Sequence, residues 1–190
     1  MVLKIAIAGN IASGKSEVEK ILTQMDYPVL DSDKISHNLL ESSSDVKKAF
    51  ADDDVFEDGV ISRKKLGELI FYNPEKKKKL ENILYPKIRE EIGKYFNFNQ
   101  NEKTAFVSIP LLYEAHMEDL FDKVIFIYAD DEIRLKRLMA RNGFSQEYAL
   151  VRMNSQQSQE EKVQKADFVI YNNSSKDDLQ NEIRFILHKF

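Results

Sequence analysis

Residues 9–16 of the chain read Gly-Asn-Ile-Ala-Ser-Gly-Lys-Ser, which matches the pattern G-x-x-x-x-G-K-S/T in full. The apolar run at residues 2–8 is typical of a buried strand, whereas apolar residues recur at helical spacing after the loop. A loop between a strand and a helix directs its backbone N–H groups and the positive end of the helix dipole at one point, as an anionic phosphate requires. We therefore predict a nucleotide-binding loop that consists of Gly9, Asn10, Ile11, Ala12, Ser13, Gly14, Lys15 and Ser16.

The last two residues of this loop carry specific chemistry. The ammonium group of Lys15 is expected to bridge the β- and γ-phosphates of ATP, and the hydroxyl of Ser16 is expected to ligate Mg²⁺. Lys15 is therefore a predicted catalytic residue, and Ser16 is the predicted metal ligand.

Strands and helices alternate along the chain. Strand-like runs at residues 28–30, 104–109, 123–129 and 167–171 follow the first strand, and helical patterns separate them. This alternation predicts an α/β fold, a P-loop core with a five-stranded parallel sheet in the order 2-3-1-4-5. The predicted core comprises residues 1–32, 104–136 and 161–190, with a helical insertion at 33–103 and a small helical lid at 137–160. Pro74 and Pro86 are expected in first turns of helices, and Ser175 with Asp178 predicts a capping box.

Composition excludes several classes of protein. Hydrophobic residues make up 43% of the 190 residues and charged residues 32%, which is typical of a globular protein. The net charge of −4 gives no reason to expect nucleic-acid binding. Without cysteine, a secretory signal or an apolar run near the roughly 20 residues of a transmembrane helix, the chain is expected in the cytoplasm without a membrane partner. It is expected to be a monomer or a weak homo-oligomer that acts on a small molecule.

The rest of the sequence distinguishes among the classes of P-loop proteins. A GTPase would need D-x-x-G and N-K-x-D, and neither string occurs. A motor or transporter ATPase would need an acidic residue after an apolar strand, and Asp130 and Asp131 resemble one. We instead expect one of these two residues to cap the helix that begins near Glu132. A kinase needs a carboxylate beside the acceptor hydroxyl, and Asp31 and Asp33 close a strand where ligands bind. Asp33 is our candidate base, although capping of the next helix is an alternative role.

Cations near the transferred phosphoryl group are a further requirement of a kinase. Arg134, Arg137 and Arg141 lie on one predicted helix, with the last two on one face. The polar residues 142–165 that follow have the composition of a mobile lid, and an arginine carried by a lid stabilises transition-state charge. Arg141 is the first candidate for this role and for nucleotide binding, and Arg137 is the second.

Taken in order, these motifs resemble those of dephospho-CoA kinases over nearly the whole chain. The matching segments are the P-loop, Asp-Ser-Asp at 31–33, Pro-Leu-Leu-Tyr-Glu at 110–114, Arg-Asn-Gly-Phe-Ser at 141–145, Arg-Met-Asn-Ser-Gln at 152–156 and Ala-Asp-Phe-Val-Ile-Tyr-Asn at 166–172. The resemblance implies ATP-dependent phosphorylation of the ribose 3′-hydroxyl of dephospho-CoA, with CoA bound by residues 33–103. It further implies that Asp33 is the acceptor-side base and that the substrate-binding residues are Asp33, Pro110, Leu111 and Glu114.

Two departures from the family pattern lie in the loop. The family commonly has glycine at the positions of Asn10 and Ala12, where a Cβ restricts positive φ. Arg134 stands where the family often has glutamine. Two alternatives stay open: a P-loop kinase for a nucleoside, a nucleoside monophosphate or shikimate, and a regulatory ATPase without an acceptor. The lysines at residues 76–79 are interpreted as a solvated helix face, with phosphate binding as the alternative.

Overall fold

The computed structural model describes residues 1–190, which divide into two units. The first unit comprises residues 1–31 and 95–190, and the second comprises residues 32–94. In chain order the strands are β1 (Leu3–Gly9), β2 (Val29–Asp31), β3 (Phe56–Glu57), β4 (Val60–Ile61), β5 (Thr104–Ser108), β6 (Lys123–Tyr128) and β7 (Phe168–Tyr171). The helices are α1 (Lys15–Gln24), α2 (Ser32–Ser42), α3 (Ser44–Ala49), α4 (Arg63–Tyr72), α5 (Pro74–Phe98), α6 (Asp131–Asn142), α7 (Gln146–Asn154), α8 (Gln159–Val163) and α9 (Lys176–Leu187).

The first unit contains a five-stranded parallel sheet in the order β2-β5-β1-β6-β7. Counted without the separate β3–β4 hairpin, this is the predicted order 2-3-1-4-5, which is confirmed. Parallel sheets are covered on both faces, so their strands are apolar throughout. Ile5 and Ile7 on β1 and Phe106 on β5 are accordingly buried completely.

Helices α1 and α9 pack on this sheet through apolar stripes. Val18, Ile21 and Leu22 of α1 join Leu179 and Ile183 of α9 in one core cluster with the central strands. The predicted capping box is present at the start of α9, because the hydroxyl of Ser175 accepts from the backbone N–H of Asp178 and the Asp178 carboxylate accepts in return. None of the helices combines the length and apolar character that a transmembrane segment needs.

The second unit consists of helices α2 to α4, most of α5 and one hairpin. The hairpin was not predicted. Asp58 and Gly59 connect its strands with φ values of 49° and 78°, the geometry of a two-residue type I′ turn. The expectation for Pro74 is correct, since it is the first residue of α5. The expectation for Pro86 is wrong: α5 continues through it.

The apolar stripe of α5 explains why the helix tolerates Pro86. Its residues recur every fourth position and are at most 7% exposed, so their burial offsets the hydrogen bond that proline cannot donate. The stripe consists of Leu80, Leu84, Ile88 and Ile92.

The end of α5 belongs to the first unit. Phe96 stacks edge-on against Phe121 at 5.9 Å between ring centroids, and the Lys4 ammonium lies 5.5 Å from the Phe96 ring. Residues 95–103 therefore group with the sheet, although they were predicted as the end of the helical insertion.

Candidate nucleotide-binding site

The loop between β1 and α1 needs glycine at both glycine positions of the G-x-x-x-x-G-K-S/T pattern. A Cβ on Gly9 would lie 2.5 Å from Oγ of Ser13 and 3.0 Å from the carbonyl oxygen of Ile127. Gly14 has a φ of 97°, and a Cβ there would overlap Nδ2 of Asn172. Both glycines are therefore required by the packing of the loop, independently of any ligand.

Asn10 and Ala12, which stand where the family commonly has glycine, differ in backbone conformation. Ala12 adopts a φ of 62°, so its backbone lies in the left-handed region that residues with a Cβ avoid. Asn10 is not among the residues with positive φ, and the expected restriction there is wrong. Its side chain is instead buried and bonded, with Nδ2 donating to the carbonyl oxygen of Gln157 at 2.9 Å.

A buried lysine anchors the start of the loop. Nζ of Lys162, on α8, donates to Oδ1 of Asn10 at 2.8 Å and to Oε1 of Glu114 at 2.6 Å. The Lys162 side chain is only 1% exposed, and Oε2 of Glu114 is buried without a hydrogen bond. This ion pair joins the loop to the segment that follows β5. Glu114 is among the residues predicted from the sequence, but Lys162 is not, because one lysine among many carries no pattern.

Two further side chains hold Ile11 in the loop. The backbone N–H of Ile11 donates to Oε1 of Gln156 at 2.7 Å, and its carbonyl oxygen accepts from Nε of Arg134 at 3.0 Å. Arg134 is 3% exposed, and its Nη1 donates to Asp131 at 2.8 Å. Burial lowers the pKa of the Arg134 guanidinium, and the Asp131 carboxylate opposes this shift. Beside these groups lies a cavity of about 190 Å³ that Asn10, Arg134 and Gln156 help to line.

Lys15, the predicted catalytic lysine of the loop, contacts a carboxylate and a hydroxyl. Nζ of Lys15 donates to Oε1 of Glu19 at 3.1 Å and to Oγ of Ser108, the last residue of β5. The hydroxyl of Ser108 donates in turn to Oε1 of Glu19. Ser16 is exposed at the first turn of α1. Neither Glu19 nor Ser108 was predicted from the sequence as part of this site.

The two candidate arginines occupy different surroundings. Arg137 donates from Nη1 to the carbonyl oxygen of Ser13 at 3.4 Å and from Nη2 to that of Asn172 at 3.0 Å. Arg141 is exposed, and its Nε donates to the side chain of Asn142. Of the two, it is Arg137 that touches the phosphate loop in this structure, although Arg141 was the first candidate.

Comparisons with known proteins agree with each other. The sequence model of the dephospho-CoA kinase family matches residues 3–178. A dephospho-CoA kinase of Listeria innocua is 38% identical over 192 residues, which cover 98% of this chain and 96% of the relative. The chain belongs to the dephospho-CoA kinase family.

Solved structures support the same membership. The dephospho-CoA kinase of Campylobacter jejuni is 35% identical, with a TM-score of 0.75 over 100% of this chain and 97% of that one. A Thermus thermophilus protein is 33% identical, with a TM-score of 0.87 over 100% and 98%. Members of the dephospho-CoA kinase family are ATP-dependent kinases.

The predicted substrate-binding residues of this dephospho-CoA kinase family member have the following positions. Asp33 is exposed in the first turn of α2, two residues after the end of β2. Pro110 follows β5, and Leu111 beyond it is 38% exposed. No cluster of three or more His, Cys, Asp or Glu residues could hold a metal ion by itself.

Asp130 and the lysine run at residues 76–79 make contacts outside the loop. Asp130 is the N-cap residue of α6, but its side chain makes no capping hydrogen bond and instead accepts from Nδ2 of Asn173. The expected side-chain cap is therefore wrong. In the lysine run at residues 76–79, Lys76 pairs with Asp53 at 2.6 Å and Lys79 donates to the carbonyl oxygen of Ala49. These lysines thus have partners within their own unit.

Proposed function

We propose that this enzyme transfers the γ-phosphoryl group of ATP to the ribose 3′-hydroxyl of dephospho-CoA, giving coenzyme A. The observation that carries the proposal is a complete phosphate-binding loop in a chain whose family match extends over residues 3–178. The loop supplies backbone N–H groups at the start of α1 and the ammonium of Lys15, which together suit a polyphosphate.

Mg²⁺ is proposed to arrive with the nucleotide. The donors near the loop are oxygens, the exposed hydroxyl of Ser16 and the carboxylate of Glu19, and such hard donors suit Mg²⁺. Ser16 and Glu19 would hold the ion, which would supply positive charge beside the phosphates. Lys15 would leave Glu19 to contact the same phosphates.

The acceptor-side roles rest on chain position. Asp33 lies just beyond the carboxyl end of β2, and in α/β sheets ligands bind at these ends. We propose that its carboxylate orients the acceptor hydroxyl and accepts its proton, while residues 33–103 bind CoA and Pro110, Leu111 and Glu114 contribute to substrate binding. Arg137 and Arg141 are proposed to stabilise the transferring phosphoryl group, and residues 137–160 to act as a lid. We expect a cytoplasmic monomer or weak homo-oligomer.

The test is ADP release from ATP with and without dephospho-CoA. Release that depends on dephospho-CoA supports the proposal, whereas release without an acceptor indicates an ATPase. Release that requires shikimate, a nucleoside or a nucleoside monophosphate instead would contradict the proposed acceptor.

Two variants test the residue roles. Lys15→Ala is expected to abolish turnover, since the loop loses the ammonium group that contacts the phosphates. Asp33→Asn is expected to lower kcat by about 10²-fold or more while ATP affinity is kept, since general-base catalysis contributes about 10²–10⁴-fold. Asp45→Asn is the matched control, because Asp45 is an exposed residue paired with Lys87. An unchanged kcat in Asp33→Asn removes Asp33 from the mechanism.

A further inference from the structure

The strands beside β1 do not offer the loop a free acidic residue at their carboxyl ends. In P-loop NTPases, Mg²⁺ is held by the loop Ser or Thr together with an aspartate outside the loop. Here β5 and β6 flank β1. Strand β5 ends in Ser108, which is not acidic. Asp130 and Asp131 follow β6, but their carboxylates accept hydrogen bonds from Asn173 and Arg134.

A carboxylate reaches the end of β5 from a different element. Glu19 lies on α1, three residues after Ser16 and four after Lys15, so the three side chains share one face of the helix. Its Oε1 accepts from the Ser108 hydroxyl and from the Lys15 ammonium, and these contacts leave Oε2 unused. The Glu19 side chain is 16% exposed, so its orientation is set by these two partners.

We propose that Glu19 supplies the protein carboxylate for the Mg²⁺ of the bound nucleotide, directly or through a metal-bound water. The inference rests on the proposed function, because it needs ATP at this loop. Ser108 is a positioning residue, since its hydroxyl orients the Glu19 carboxylate. Mg²⁺ is commonly bound by one or two carboxylates plus substrate phosphates, and Ser16 with Glu19 provides such a partial set.

The test measures binding, without any acceptor. ATP is titrated into the protein by calorimetry in excess Mg²⁺ and again in EDTA, and the ratio of the two Kd values gives the strengthening by Mg²⁺. Glu19→Gln is expected to reduce this strengthening by about tenfold or more, the usual cost of losing a group beside a metal. In EDTA the same variant is expected to bind ATP equally well or more tightly, because one negative charge near the phosphates is gone.

Matched variants separate the alternatives. Glu17→Gln changes another glutamate of α1, which pairs with Lys176 at 2.6 Å, and should leave the strengthening unchanged. Ser16→Ala should reduce it. Asp31→Asn tests the acidic residue that ends β2, one strand farther from β1. Loss of the strengthening in Asp31→Asn but not in Glu19→Gln overturns the proposal.

An unchanged ratio in Glu19→Gln would also overturn it, because Glu19 then does not act on the metal. If the two Kd values tighten equally, Glu19 is only a counterion of Lys15. If they weaken equally, Glu19 acts on the loop and not on the metal. A failure of the proposed function is distinguishable, because the wild-type enzyme would then show no ADP release that depends on dephospho-CoA, whatever the Mg²⁺ ratio.

Discussion

The buried ion pair between Lys162 and Glu114 makes a quantitative prediction for Lys162→Met. Methionine keeps much of the side-chain volume but removes the ammonium, which leaves the Glu114 carboxylate without a counterion and Oδ1 of Asn10 without its donor. Breaking a buried pair from one side costs about 3–5 kcal/mol. The Glu114 side chain as a whole is 21% exposed, so the pair is only partly buried, although its Oε2 is buried without a hydrogen bond. We therefore expect a loss near the lower limit, about 3 kcal/mol.

Thermal and urea unfolding measure this loss. For a chain of 150–250 residues, 1 kcal/mol shifts Tm by about 2–4 °C, so Tm should fall by about 6–12 °C. Circular dichroism suits the assay, because the chain has no tryptophan. Lys165→Met is the matched control: Lys165 is exposed, its ammonium lies 5.6 Å from the Tyr113 ring, and such a contact contributes less than about 1 kcal/mol.

The double variant Lys162→Met/Glu114→Gln decides whether the charge pair is the cause. With both charges removed, no unpaired carboxylate remains, and we expect about 1–2 kcal/mol to be recovered relative to the sum of the single changes. Additive losses would refute the reasoning, and so would a loss below about 1 kcal/mol for Lys162→Met alone.

Two further predictions concern the loop and the sheet. Ala12→Gly should raise the free energy of unfolding by up to about 1.5 kcal/mol, because it relieves about 1–2 kcal/mol of left-handed strain and costs only about 0.4–1 kcal/mol through a more flexible unfolded chain. Urea unfolding measures this change, and the control Ala140→Gly, inside α6, is expected to be destabilising. Burial alone would raise the pKa of Asp167, but hydrogen bonds from Lys123 and from the backbone N–H of Val124 outweigh it and hold the pKa below its usual value. The stability that Asp167 contributes is thus present above about pH 4 and is lost at lower pH. The difference in urea midpoint between wild type and Asp167→Asn should therefore shrink from pH 7 to pH 3. A constant difference would contradict this prediction.

Sequence reasoning succeeded where the local signal and the tertiary structure coincide. Strand β1, the loop and α1 follow from one apolar run, two glycines and one helical stripe, and α6 begins at Asp131, one residue before the predicted start near Glu132. The sheet order follows from right-handed parallel connections, which leave few alternatives.

The errors have physical causes. The hairpin carries a readable Asp-Gly signal at residues 58–59, but its strands have two residues each and show no alternation. Pro86 was expected to begin a helix because propensity favours this, yet burial along α5 is the larger effect. Glu19 was missed because a search for acidic residues at strand ends cannot find a carboxylate that reaches the strand from a helix.

The contacts of the loop also constrain the proposed lid. Gln156, Gln157 and Lys162 bond to the first half of the phosphate-binding loop, and Arg137 and Asn172 bond to its second half. Opening of a lid at residues 137–160 would therefore break the hydrogen bonds that Asn10 and Ile11 donate to Gln157 and Gln156, as well as uncover the nucleotide. Because Lys162 is buried and charge-paired whereas Gln156 makes one neutral hydrogen bond to the loop, a hinge between these two residues would cost the least. The start of the loop would then keep its buried lysine while the lid moves.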